Sequence, residues 1–387
     1  MRPIKTDHPR PEDFLELVER TRLGRLKIYL GYAAGVGKTY QMLLESHQLR
    51  ARGVDVVLGF IETHGRADPA RLIEGLEVIP RKKIEYRGVS VEEMDLDAVL
   101  TRRPQVAIVD EVAHTNIPGS RNRRRYQDIM EIIKAGINVI CAFNIQHLES
   151  LNDLIGQATG VTVRETIPDT FLKHADQIVT LDLAVEDLLD RLRQGKIYAA
   201  EKIPWALEHF FKTENLSTLR ELVLREVAEN FYQKIAAKFQ ERRTATIHPS
   251  GERIMVCAAS NSPLVKMLLR RGSRMAGRTN SHWFLVHIET PREAPHLIDS
   301  ETQRHLSETI EMAQELGAEV VKFKAQDVVQ AILDFALSHG VAHIIIGRTR
   351  QPWWKQILGR SIMYRLINEA EGIDVHIISF EEEREIT

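Results

Sequence analysis

Thiol chemistry has little to work with in this chain, because only two of its 387 residues are cysteine. Cys141 and Cys257 each sit inside an apolar run, the setting of a buried core thiol, so a disulfide framework or a cysteine-rich metal site is excluded. Excess charge of one sign is lacking as well. The 52 basic and 54 acidic residues leave a net charge of −2, which removes any general argument for nucleic acid. No apolar run approaches the roughly 20 residues of a membrane span. The N-terminus, Met-Arg-Pro-Ile-Lys-Thr-Asp-His, holds no apolar stretch of a secretory leader, so a cytoplasmic location is expected. Apolar residues, at 43%, are ample for buried cores, and the length suggests about two or three domains.

The stretch Lys27–Thr39 carries the most chemistry. A short apolar strand runs into a glycine-rich turn and then into a helix marked by Met42, Leu43, Leu44 and Leu49. Gly35, Val36 and Gly37 would aim backbone N–H groups at an anion. Lys38 supplies a cation for phosphate oxygens, and the Thr39 hydroxyl can ligate Mg²⁺. The helix N-terminus adds its positive dipole end at the same point, next to Tyr40. One departure stands out. The usual pattern has glycine five residues before the glycine of Gly-Lys-Thr, where this chain has Tyr32; Gly31 lies one step early.

Short apolar runs alternate with helical patterns through the first part. Leu26–Leu30, Val54–Ile61, Val106–Val109, Asn138–Phe143 and Gln177–Leu181 read as buried strands, with helices between them at Thr39–Ala51 and Tyr126–Ala135 among others. Such alternation predicts a parallel sheet covered on both faces, with ligands at the carboxyl ends of its strands. Val106–Val109 ends in Asp110-Glu111, the expected second half of a phosphate-loop site. Asp110 would hold Mg²⁺ and Glu111 would orient or deprotonate a water. Polar clusters close other strands: Glu62–Arg66, His114–Asn116 and Asn144–His147. Asn144 and Gln146 are candidate γ-phosphate sensors. His64 and His147 are candidates for acid–base work, beside the plainer roles of capping a helix or filling a buried hydrogen bond. In the basic loop Pro118–Tyr126, Arg121 or Arg123–Arg125 would steady a phosphate, grip a partner or simply be solvated.

A long amphipathic helix is predicted at Ser217–Glu241. Thr218 and Glu221 form a capping box, and Leu219, Leu222, Val223, Val227, Phe231 and Ile235 mark one apolar face. A polar boundary follows at Arg242–Arg253. Alternation then restarts, with strands at Ile254–Ala259, Trp283–Ile288, Glu319–Phe323, His343–Gly347 and Asp374–Ser379. Helices fit at Pro263–Ala276, Ser300–Gly317, Asp327–Gly340 and Ser361–Glu371. The expected architecture is α/β throughout: a phosphate-loop domain over residues 1–243 and a five-stranded Rossmann-like domain over 253–387.

These residues match a known family. The chain resembles the cytoplasmic N-terminal half of the KdpD potassium and osmotic sensor kinases over nearly its whole length. The resemblance rests on Gly31–Thr39 with its early glycine, Glu62–Arg66, Asp110–Asn116, Pro118–Arg121, Tyr126–Asp128, Gln146–Asp153, Val163–Asp169, Gly195–Tyr198, Glu208–Phe211 and Asn215–Leu222. It implies an ATP-binding domain followed by one of universal-stress-protein type. It also implies Gly347-Arg348-Thr349 and Gly359-Arg360-Ser361 as a nucleotide loop, although Arg350 stands where its second glycine usually falls. Some members bind cyclic di-AMP through a Ser-x-Ser motif and a second aromatic motif. Here Ser260 and Ser262 match the first, while Trp283 and His287 occupy the second in altered form; the plainer reading makes Trp283–His287 the domain's second strand. Members usually continue into membrane spans and a histidine-kinase core. No phosphoacceptor helix is read in these residues, so autokinase activity is not expected of them.

The reading is a regulatory module that binds ATP with Mg²⁺, turns it over slowly or not at all, and takes a nucleotide signal or partner on its second domain. Partners implied are a membrane histidine kinase, a response regulator, a potassium transporter or a second copy of the chain. A thymidine-kinase-like small-molecule kinase, a nucleic-acid motor and a non-catalytic binding module are the rivals. The first lacks its zinc cysteines here, and the second lacks another motor domain.

Overall fold

The computed structural model describes residues 23–242, 253–260, 262, 264–279, 281–291, 298–347 and 362–379, with backbone alone at 232–242. Two compact units form. One holds the described residues up to His147 with Ile155–Ile167 and Phe171–Val227. The other holds Leu148–Leu154, Pro168–Thr170 and the described residues from Ala228 onward.

In the first unit, strands β1 (Leu26–Gly31), β2 (Val56–Phe60), β3 (Glu77–Val78), β6 (Val106–Val109), β7 (Asn138–Asn144) and β8 (Gln177–Leu181) make one six-stranded sheet in the order β3-β2-β6-β7-β1-β8. Every pairing in it is parallel. β2 and β6 are buried at every position, which is why they read as unbroken apolar runs rather than alternating ones. Helices α1 (Lys38–Ala51) and α4 (Arg125–Lys134) pack on the sheet through Met42, Leu43, Ile129 and Ile132.

The sequence pattern missed a hairpin, β4 (Lys82–Tyr86) with β5 (Val89–Glu93). Its strands are largely exposed and charged, so each offers little of the apolar alternation that marks a half-buried strand. β5 matters nonetheless, because its last residue, Glu93, turns inward and is buried.

The long helix α9 spans Thr213–Arg242, starting four residues before its predicted start. The Thr218–Glu221 capping box is therefore incorrect. Thr218 lies inside the helix, where its hydroxyl donates to the Glu214 carbonyl at 2.9 Å. The true first turn is fixed by Asn215, whose amide donates to the carbonyls of His209 and Phe210 at the end of helix α8 (Ile203–His209). Leu219, Leu222 and Val223 are buried as expected, but Phe231 is 62% exposed, and Ile235 falls where only backbone is described.

The second unit carries five parallel strands, β9 (Arg253–Cys257), β10 (Trp283–Glu289), β11 (Glu319–Lys324), β12 (Val341–Gly347) and β13 (Asp374–Ile378), in the order β11-β10-β9-β12-β13. Helices α10 (Val265–Thr279), α11 (Ser300–Glu315), α12 (Val328–His339) and α13 (Ile362–Glu369) cover its faces. All five predicted strands are present. The strand order reverses between β9 and β12, which makes their carboxyl ends the crevice of this sheet.

Candidate functional site

The loop between β1 and α1 wraps an open anion cradle. Gly35 takes φ 91° and Gly37 φ 106°, conformations that side chains rarely adopt. No side chain caps the helix at Gly37, so the first N–H groups of α1 remain for a ligand. The early glycine has a steric reason: a Cβ at Gly31 would come within 2.6 Å of Val36 and 3.1 Å of the Lys38 stem. Tyr32, in the usual glycine position, is 1% exposed and donates its hydroxyl to the Leu183 carbonyl at 2.8 Å. Residues after β8 back the loop further. Arg191 donates to the Gly35 carbonyl at 3.1 Å, and Ile197 packs so close that a Cβ at Gly35 would meet it at 2.3 Å.

Lys38 is half-buried beneath this loop, its ammonium donating to the Ala33 carbonyl at 3.2 Å and to the Asn144 side chain. Burial pulls its pKa down to about 8 against the pull of Asp110 and Glu111. The Thr39 hydroxyl donates to Asp110 Oδ2 at 2.8 Å. Asp110 is itself buried, and burial with the adjacent Glu111 charge raises its pKa. A carboxyl and a hydroxyl side by side are hard oxygen donors suited to a divalent cation, whose charge would favour the ionised carboxylate. Among the described residues no cluster of three or more His, Cys, Asp or Glu could hold a metal unaided. Mg²⁺ needs no such cage, because phosphate and water complete its shell.

Glu111 follows in a left-handed conformation, φ 55°, and accepts from His64 Nε2 at 3.2 Å; His64 is itself at φ 51°. That hydrogen bond raises the His64 pKa and lowers the Glu111 pKa. His147 donates from Nδ1 to the Glu165 carbonyl at 2.8 Å, and burial lowers its pKa. Gln146 holds a buried carbonyl oxygen with no partner. Tyr40 is exposed and Val36 buried at the loop itself. Of the three expected strand-end clusters, the His114–Asn116 group turns away into packing. His114 bonds Glu93 at 2.8 Å, and Asn116 donates to Asp128 at 2.7 Å.

The basic loop is largely consumed by structure. Arg121 pairs with Asp97 and Glu131, and Arg124 donates to the Thr115 hydroxyl. Arg125 is 1% exposed, pairs with Glu93 at 3.1 Å and lies 3.7 Å above the Phe60 ring. Sequence reasoning had no signal for that last triad, because Glu93 arrives from the hairpin it did not see.

In the second unit, Ser260 and Ser262 follow β9, and Gly347 closes β12. Trp283 is 3% exposed and packs in the core beside Gly272, while His287 is buried and hydrogen-bonds the Ala258 carbonyl at 3.0 Å. Both rings serve the strand rather than an open face, so neither offers a stacking surface in this conformation. Arg348, Gly359 and Ser361 lie outside the described residues.

A family model described as the KdpD osmosensitive K⁺ channel His kinase sensor domain matches residues 22–231. Sensor protein KdpD of Escherichia coli is 40% identical over 375 residues, covering 97% of this chain and 41% of that protein. A sensor protein KdpD of Synechocystis is 43% identical over 361 residues, covering 92% of this chain and 95% of its own length. The chain thus spans about two fifths of the Escherichia coli relative and nearly all of the Synechocystis one. Among solved structures, a universal stress protein in complex with cAMP covers 34% of this chain at 16% identity and a TM-score of 0.27. No helix among the described residues is long and apolar enough to cross a membrane. With more than half of its length matched by the family model, and with relatives at this identity, the chain belongs to the KdpD family.

Proposed function

We propose that this chain is a nucleotide-reading regulatory module of potassium and osmotic signalling, whose first unit binds ATP with Mg²⁺. One observation carries the reading: the Thr39 hydroxyl sits 2.8 Å from the buried Asp110 carboxylate, one residue after the half-buried Lys38. Thr39 and Asp110 are the residues that would hold Mg²⁺, and the ion, when bound, offsets phosphate charge. Lys38 and the Gly35–Thr39 amides grip phosphate oxygens. Glu111 is the candidate base, but its bond to His64 holds it below the ordinary carboxylate range, which favours slow turnover over fast.

The second unit supports a nucleotide or partner site at its crevice, where Ser260, Ser262 and Gly347 meet the reversal of strand order. Cyclic di-AMP is the ligand to try first. Downstream readers would be a membrane histidine kinase, a response regulator or a potassium transporter.

Calorimetric titration of the whole chain with ATP, ADP and cyclic di-AMP, with and without Mg²⁺, tests the assignment. ATP should bind with Mg²⁺ dependence. Asp110→Ala should weaken it about tenfold or more, the scale of one charge-assisted contact, while cyclic di-AMP binding persists. No ATP binding to wild type, or equal affinity in both proteins, would reject the reading.

A pH profile follows from Lys38. Its charged form binds phosphate, and in the free protein that form is lost as pH rises through about 8. Bound phosphate holds the proton, so above that pH binding must first take one up. Affinity should be nearly flat from pH 6 to 7.5 and about tenfold weaker at pH 9 than at pH 7. A flat profile to pH 9 would contradict it.

A further inference from the structure

The Glu62–Arg66 loop remains without a role for its last residue. It leaves β2, whose sheet neighbour β6 ends in Asp110 and Glu111. His64 pins the loop at the site through its 3.2 Å contact with Glu111, and the Glu62 carboxylate accepts from the His64 backbone at 3.1 Å. Two residues on, Arg66 donates through Nε to the Thr63 carbonyl at 2.9 Å, and its backbone N–H donates to the same oxygen at 3.0 Å. That bond uses the inner edge of the guanidinium and leaves the two terminal amino groups, which make a planar fork suited to phosphate.

Arg66 is half-buried, and among the described residues no carboxylate pairs with it. Arg81, also half-buried, pairs with Glu62 and Glu92, and the exposed Arg102 pairs with Asp55 and Glu77. The Arg66 charge instead falls on groups of the phosphate site. Its field reaches Lys38, where it adds to the lowering by burial, and reaches His64 and the half-buried Tyr198, where it opposes rises set by the Glu111 bond and by burial. Lys38 and Arg66 repel each other while the Asp110 and Glu111 charges act on Lys38, and a multiply charged anion joining the two cations would offset their repulsion. The basic loop offers no equal rival: Arg121, Arg124 and Arg125 are engaged, and Arg123 stands exposed on the surface.

We infer that Arg66 is the residue that reads the terminal phosphate, making the site discriminate nucleoside triphosphate from diphosphate. The inference rests on the nucleotide reading above. Lys38 and the loop amides serve phosphates common to both ligands, whereas the Arg66 fork reaches the group that only the triphosphate carries. The sensory content of the site, the ratio of ATP to ADP, would then lie in the second strand's loop rather than in the glycine-rich one.

The test is calorimetry of the full chain with ATP·Mg²⁺ and ADP·Mg²⁺. Wild type should bind ATP more tightly. Arg66→Ala should weaken ATP by about 10- to 100-fold and ADP by less than about threefold, the scale of one charge-assisted fork. Arg66→Lys should recover only part of the difference, because a point charge replaces the fork. An unchanged thermal transition would show that the fold is intact. Equal losses for the two ligands, or no loss for either, would overturn the inference while leaving the nucleotide reading in place. A wild-type chain that binds neither nucleotide would overturn both.

Discussion

Lys38→Ala will cost the first unit its nucleotide, with the dissociation constant for ATP·Mg²⁺ rising about 100-fold or more. The half-buried ammonium is held now by the Ala33 carbonyl and the Asn144 side chain, at the start of the helix that the glycine-rich loop leads into. A charge-assisted hydrogen bond in a screened site contributes about 1.5–3 kcal/mol, and this group is placed to make more than one to a polyphosphate. The substitution removes the bond to the Ala33 carbonyl but leaves the back of the loop held by Tyr32, Arg191 and Ile197. The variant should therefore keep its thermal transition while losing its calorimetric signal. ATP affinity equal to wild type would remove the basis for calling this loop a phosphate site.

Arg125→Ala should give the largest stability loss in the first unit. Removing it strands Glu93, which is almost fully buried. Burial alone would raise the Glu93 carboxyl; the His114 bond and the charges of His114 and Arg125 hold it below its ordinary value. Breaking a buried pair from one side costs about 3–5 kcal/mol. At about 2–4 °C per kcal/mol for a unit of this size, the transition should fall by roughly 6–20 °C. The double variant Arg125→Met with Glu93→Leu should regain most of that loss, since neither charge is then left alone. A single variant within about 1 kcal/mol of wild type would mean that His114 and solvent already satisfy Glu93.

These two expectations differ in how far the sequence reaches them. Lys38 belongs to a contiguous run whose glycines, cation and hydroxyl each have a local reason, and Asp110 ends the apolar run Val106–Val109. Strands buried on both faces, such as β2 and β6, announce themselves as such runs, whereas β3, two exposed residues at the sheet's edge, left no such signal. Arg125 is different. Its partner is 32 residues away, on a hairpin with almost no apolar alternation, so nothing in either segment points to the other. The Thr218–Glu221 box failed for a related reason. The side chain that sets the start of α9 is Asn215, acting on carbonyls of the preceding helix. Trp283 and His287 show the reverse ambiguity: a core strand and a ligand motif can use the same residues, and burial alone separates them.

The tyrosine in the glycine position has a further consequence. Its hydroxyl fastens the glycine-rich loop to the end of β8, and Arg191 and Ile197 hold it from behind. A loop braced on that side has lost most of its conformational entropy when the chain folds, before any ligand arrives. Binding would then order little backbone there. Any motion that reports occupancy must arise elsewhere around the ligand, in parts not tied down at the rear.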